Sequence, residues 1–249
     1  MVPVALSRHA GSSVEAGRAY GFSSALNAVP LMAVEMPTAS SEYAIVFVKS
    51  GEALMPAVIL GLGKNRNLYL DEDDVWQARY LPAFVRRYPF VFASGDGKTF
   101  ALCIDEGCPG FNNEGRGERL FDDDGKPAAY VEQALKFLQT YQVQFKRTQA
   151  FCRKLDELGL FEPMHAQMKL DDGERLSLIG FLGVNRKKLA QLPDATLAAM
   201  AKSGELELIY SHLHSLGNLA AVRERASRSR ARRQDASVSP AAPASATRH

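Results

Sequence analysis

Two adjacent arginines, Arg86 and Arg87, stand inside the stretch YLPAFVRRYPFVFAS together with five aromatic residues, Tyr80, Phe84, Tyr88, Phe90 and Phe92. Guanidinium groups grip carboxylate or phosphate through paired hydrogen bonds and also stack on rings, so a segment this dense in both can wall a site for an anionic ligand. The same residues also suit plain packing, with the rings entering the core and the arginines stacking at the surface or bridging to Glu35, Asp71 or Asp105. Arg86, Arg87, Tyr80, Tyr88 and the neighbouring Trp76 are therefore the candidate binding residues, and no catalytic residue is assigned.

Other reactive side chains form no comparable group. The phosphate-binding glycine loops, the GxSxG nucleophile elbow and the HExxH zinc helix are absent from the sequence, which lowers the expectation of an enzyme. Of the five histidines, His9 and His249 fall in segments expected to be mobile, leaving His165, His212 and His214 as site candidates. His212 and His214 are two apart on an expected helix and point about 200° apart, so they cannot chelate one ion together; one should be buried and the other exposed. Cys103, Cys108 and Cys152 are an odd, widely spaced set that reads as reduced thiols, without a CxxC or a nearby histidine pair to make a zinc pattern. The acidic runs Asp71 to Asp74 and Asp122 to Asp124 lack the ligand spacing of a calcium loop and read as turns. No metal and no cofactor is expected.

A net charge of +2 hides a strong asymmetry: Arg223, Arg225, Arg228, Arg230, Arg232 and Arg233 crowd into eleven residues, and the rest of the chain is mildly acidic. Nucleic acid or another anionic surface is thus a partner only for the C-terminal segment. A small anionic ligand, a protein partner or a second copy of the chain remain open for the body. The most apolar run, Met55 to Leu62, is too short to cross a bilayer, so no integral membrane segment is expected. The start MVPVALSRHAGSS does not read as a Sec leader, which makes the cytoplasm the expected location and a non-Sec route the way to any surface association.

The elements that would position these residues follow from period and punctuation. With 46% hydrophobic and 23% charged residues, the 249-residue chain suits one soluble domain. Tyr43 to Val48 and Met55 to Leu62 read as a hairpin, and Asn67 to Leu70 as a short strand. Pro89 should end a short helix and start a strand at Phe90 to Ala93, joined through a turn at Gly95, Asp96 and Gly97 to a strand over Thr99 to Asp105. Val131, Leu135, Leu138, Phe145, Cys152 and Leu155 mark one face of a long helix over about 128 to 158, with Gly159 as its C-terminal cap. Gln167 to Leu170 and Leu176 to Val184 read as a second hairpin. Helices follow, one capped by Asp194 and one carrying Leu206, Ile209, Leu213, Leu216 and Leu219. The fold class is therefore α+β, a mainly antiparallel β core with one long helix and C-terminal helices. It divides into a flexible lead-in over 1–28, a domain over 29–226 and a disordered Arg-, Ala-, Pro- and Ser-rich tail over 227–249.

PLMAVEMP at Pro30 to Pro37, EYAIVF, VILGL, NLYLD, Trp76, YLPAFVRRYPFVF and LCIDE occur in an order that resembles the SapC family. LFEP at Leu160 to Pro163, IGFLGVNRKKL and ELELIYSHLHSLGNL continue the resemblance to about residue 222, and the arginine-containing motif is its most specific part. The resemblance implies a bacterial protein associated with a paracrystalline surface layer or outer-envelope processes. It brings no catalytic residues with it. The permease descriptions that have travelled with the family name conflict with the absence of a spanning segment. Three functions follow as expectations: a non-catalytic binding or assembly factor first, an enzyme acting on a small anionic substrate second, and anionic-surface or nucleic-acid binding by the basic tail third.

Overall fold

The computed structural model describes residues 1–15, 17, 20–51, 53–63, 65–93 and 100–238. From the N-terminus come β1 (Val2–Pro3), α1 (Leu6–His9), β2 (Ser13–Val14), β3 (Ala28–Pro30) and α2 (Met36–Ala39), then the hairpin of β4 (Ile45–Ser50) and β5 (Ala53–Ile59). The motif segment supplies α3 (Ala83–Arg86) and β6 (Phe90–Ala93), followed by β7 (Ala101–Ile104), β8 (Phe111–Asn112) and β9 (Glu118–Arg119). The long helix α4 (Ala129–Glu157) precedes a second hairpin, β10 (Phe161–Lys169) and β11 (Arg175–Val184). Four helices close the described chain: α5 (Arg186–Ala190), α6 (Asp194–Lys202), α7 (Glu205–Ser215) and α8 (Leu219–Val238).

Antiparallel pairing builds a five-stranded sheet in the order β10-β11-β4-β5-β3 and two three-stranded sheets, β1-β7-β6 and β8-β2-β9. The fold is α+β, as the sequence indicates. Strand alternation explains why Tyr43 to Phe47 is apolar throughout. Tyr43, Ile45 and Phe47 enter one core with Phe151, Leu155 and Ile209, while Ala44 and Val46 enter another with Ala57, Phe181 and Val222. Both faces of the central strands are covered, so neither tolerates a polar side chain.

α4 ties two cores together. Val131 and Leu138 pack with Phe90 and Ile104 over the small β1-β7-β6 sheet, and Phe151, Cys152 and Leu155 pack against the large one. Its end is closed as the sequence predicts: Gly159 adopts φ +63°, the Gly159 N–H donates to Asp156 O at 2.8 Å and the Leu160 N–H to Leu155 O at 3.0 Å.

Four expectations need correction. Residues 1–28 are not a loose lead-in: β1 pairs with β7, β2 pairs with β8 and β9, and His9 and Val14 are buried. Asn67 to Leu70 forms no strand, because the Asn67 side chain accepts from the Tyr69 N–H at 2.9 Å and only an isolated bridge joins Leu70 to Trp76. Asp194 begins α6, but Pro193 occupies its cap position. The tail expected from residue 227 is helical as far as Val238, because α8 buries Val222, Ala226 and Ser227 against the hairpin. Gly95, Asp96 and Gly97 lie outside the described residues, as does the tail from residue 239.

Candidate binding site

The arginine motif is held from below by two carboxylates and a phenol. Buried Glu35 accepts from the Met32 N–H at 2.8 Å, the Ala83 N–H at 2.8 Å and the Tyr80 hydroxyl at 2.7 Å, which stitches the PLMAVEMP segment to the start of α3. Glu42 accepts from the Tyr80 N–H at 2.8 Å and from Arg79 at 3.0 Å; these bonds hold its carboxyl below the usual range against the opposing cost of its burial. The Tyr43 hydroxyl donates to Tyr80 O and accepts from Trp76 Nε1 at 2.8 Å, and burial pushes its pKa up. Thr148 Oγ1 on α4 accepts from the Ala33 N–H at 2.9 Å, so the helix registers against the same segment.

Above this support opens a cavity of about 860 Å³, between residues 14, 15, 17 and 20–22, the turn at Asp74, the α3 segment and the loop at Cys108 to Gly110. Aromatic rings form part of its walls. Tyr88 stacks on Phe22 at 3.7 Å between centroids and 11° between planes, and Tyr20 and Tyr130 also line the space. The Tyr88 hydroxyl donates to Asp105 Oδ2 at 2.9 Å; burial first, then this bond and the neighbouring Cys108 thiol, push its pKa upward. Close backbone contact shapes one rim: the Glu15 N–H donates to Gly110 O at 2.9 Å, and a Cβ on Gly110 would lie 2.2 Å from Glu15 O. Asp74, in the left-handed region at φ +58°, receives the Tyr20 N–H on its carbonyl at 2.8 Å and so anchors the aromatic segment to the acidic turn.

Arg86 lies at the cavity, exposed, with its guanidinium 5.8 Å from the Tyr80 centroid and 5.6 Å from that of Phe137. Among the described residues no carboxylate forms an ion pair with Arg86 or Arg87. Glu35, Asp71 and Asp105, the anticipated partners, are bonded to backbone N–H groups and to Tyr80, Gln77 and Tyr88. Arg87 points elsewhere, over Phe84 at 4.2 Å and Tyr141 at 5.3 Å, and burial lowers its pKa. Of the five sequence candidates, Arg86 and Tyr88 therefore line the cavity and Tyr80 lies beneath Arg86. Trp76 is buried one ring behind, 6.0 Å from Tyr20, and Arg87 belongs to a separate surface. Sequence reasoning missed Glu15, Tyr20, Phe22, Asp74 and Tyr130; the aromatic-glycine-aromatic run at Tyr20 to Phe22 was the available signal.

Other titratable groups are built into the scaffold. His212 bridges the large sheet where β11 and β4 part: past the Leu182–Phe47 pair, the Val184 N–H donates to Nε2 at 3.1 Å and Nδ1–H donates to Ile45 O at 2.8 Å. This arrangement fixes a neutral tautomer, and burial lowers its pKa to about 4. His214 is exposed, so the expected division between the two is observed. His9, expected to be mobile, is fully buried with Nε2 3.2 Å from Glu106 Oε1. All three cysteines are free, and burial pushes Cys152 up to about 12. Among the described residues no group of three or more His, Cys, Asp or Glu side chains is placed to hold a metal, and no helix is long and apolar enough to cross a membrane.

An α+β scaffold with a ligand-sized, aromatic-walled recess beside Arg86 defines the class of protein at the level of structure. The chain belongs to the SapC family, whose model matches residues 5–222. That match begins well before the resemblance read from the sequence and takes in the N-terminal wall of the cavity. Comparison with curated proteins and with solved structures finds no match.

Proposed function

We propose that this protein is a non-catalytic binding factor whose ligand occupies the cavity beside Arg86. The observation that carries this reading is an exposed guanidinium that lies near the Tyr80 and Phe137 rings and forms no ion pair among the described residues, placed at a space of about 860 Å³ that is walled in part by Tyr20, Phe22, Tyr88 and Tyr130. A space of this size suits a small molecule or a short peptide segment. Arg86 would take an anionic group, the rings would cover an apolar or planar body, and the Asp74 carboxylate, with that of Glu15, which also meets Arg116 at 3.9 Å, would face a cationic group of the same ligand. Zwitterionic aromatic molecules, including short peptides, are thus the favoured class.

The enzyme reading is weaker on the same residues. Tyr88 and Cys108 are the candidate nucleophiles at the wall, but Tyr88 is pushed toward its protonated form, and the described lining contains no histidine or lysine, which leaves the Glu15 and Asp74 carboxylates as its bases. Assembly at a surface layer or outer envelope is supported by the family relationship alone, and fractionation of cells carrying the tagged chain addresses it.

A melting screen against aromatic amino acids and di- and tripeptides tests the cavity. At least one class should raise Tm, with Arg86→Ala weakening its binding about tenfold at unchanged intrinsic stability. A panel without a stabilising member, or equal binding by the variant, would defeat the proposal. Chemical turnover of the bound compound, lost in Tyr88→Phe, would favour the enzyme.

A further inference from the structure

The arginines of α8 divide between two surfaces. Arg223 pairs with Asp171 at 3.0 Å, and Arg230 pairs with Asp172 at 3.1 Å and with Glu174, all at the turn between β10 and β11. Arg225, Arg228 and Arg232 are spaced i, i+3, i+7 and so share the other flank of the helix. That flank faces a cleft of about 330 Å³, separate from the aromatic cavity, whose opposite wall is the loop from Arg66 to Asp71 together with Gln77.

Among the described residues, four guanidinium groups and one carboxylate, that of Asp71, line this cleft. The carboxylate is already occupied by the Asp73 and Val75 N–H groups and by Gln77 Nε2. Arg225 is fixed in place, lying 4.3 Å over the Tyr69 ring and donating to Gln77 O at 2.9 Å, and Arg66 is hydrogen-bonded to Ser229. Arg232 reaches Glu72 only at 3.9 Å, and exposed Arg228 has no hydrogen bond or ion pair among the described residues. Like charges converge here from two separate parts of the chain, and the resulting field favours a multivalent oxyanion over a single carboxylate. Phosphoryl oxygens match the planar fork of guanidinium donors, and Asn67 and Ser229 add polar groups to the same walls.

We propose that the cleft between α8 and the 66–77 loop is a second binding site, which takes a small phosphorylated ligand, a diphosphate or phosphomonoester, through Arg228, Arg232, Arg225 and Arg66. The recess holds a few phosphoryl groups and not a length of nucleic acid. Its three helical arginines lie beyond residue 222, where the family match ends, so the site belongs to this chain's C-terminal helix and not to the part shared with the family model.

Titration of the full chain with inorganic pyrophosphate at low ionic strength tests the site. Arg228→Ala with Arg232→Ala should weaken binding at least tenfold, while Arg186→Ala with Lys187→Ala on exposed α5, an equal loss of charge, should change it less than twofold. No pyrophosphate binding by the intact chain, or equal weakening in both charge-matched pairs, overturns the proposal. An oligonucleotide that binds through Arg228 and Arg232 where pyrophosphate does not also overturns it.

Discussion

At the end of α3 the guanidinium groups of Arg86 and of Arg87, the residue that follows the helix, lie over aromatic rings at 4.2 to 5.8 Å, whereas in α8 those of Arg223 and Arg230 meet carboxylates at 3.0 and 3.1 Å. Glu35 and Glu42, the carboxylates that support α3 from below, are spent on backbone N–H groups, the Tyr80 hydroxyl and Arg79, which fixes the segment and leaves Arg86 and Arg87 to rings and ligands. Those facing α8 lie on exposed turns and are spent on docking the helix. Residue type is the same in the two places. What differs is whether the neighbouring acids were needed to satisfy buried backbone, and this decides whether an arginine is a recognition group or a fastening.

The comparison breaks most visibly at Glu35. Glu35→Ala leaves two N–H groups and the Tyr80 hydroxyl without their acceptor in a buried setting, and should cost about 3 to 5 kcal/mol by denaturant melts. Arg86-dependent ligand binding should fall with it, because α3 loses its anchor. A cost below about 1 kcal/mol would mean that the motif is held by its rings and not by Glu35.

His212 sharpens the same contrast from the neutral side, since its ring stands where ladder bonds between Val184 and Ile45 would otherwise form. Its pKa is about 4 in the fold against 6.5 unfolded, so the unfolded state binds the extra proton between those values. The contribution is complete above about pH 6.5, declines as pH falls, and is gone below about pH 4, a change of roughly 3 kcal/mol. Urea melts from pH 4 to 7.5 should show the stability gap between the parent and His212→Gln narrowing toward acid. A gap independent of pH would sink this account.

How much of this was legible depends on how local the cause is. α4 announces itself because its buried Val131, Leu138, Cys152 and Leu155 repeat at helical spacing and Gly159 closes it. β1 and β2 do not, because two residues carry no period and their pairing is decided by β7, β8 and β9 far along the chain. The cavity was half visible: Arg86 and Tyr88 lie in one conspicuous motif, while Glu15, Tyr20, Asp74 and Tyr130 come from three other segments. α8 was misread because its composition suits a solvated tail. Val222, Ala226 and Ser227 nevertheless bury enough of one side to dock it once acidic turns wait on both flanks.

The smallest effects compare the two kinds of arginine directly. Arg87→Ala removes a stacked, largely desolvated cation from Phe84 and Tyr141 and should cost about 1 to 2 kcal/mol, with little change between low and high salt. Arg230→Ala removes an ion pair in which both partners keep substantial solvent exposure, and should cost less than about 1 kcal/mol at low salt. Raising the ionic strength to about 1 M shortens the screening length to about 3 Å, so the Arg230 effect should vanish there while the Arg87 effect persists. Thermal melts of both variants at the two salt concentrations separate the mechanisms. Equal salt sensitivity would show that Arg87 has a charged partner after all, and the division between recognition and fastening would then have to be withdrawn for α3.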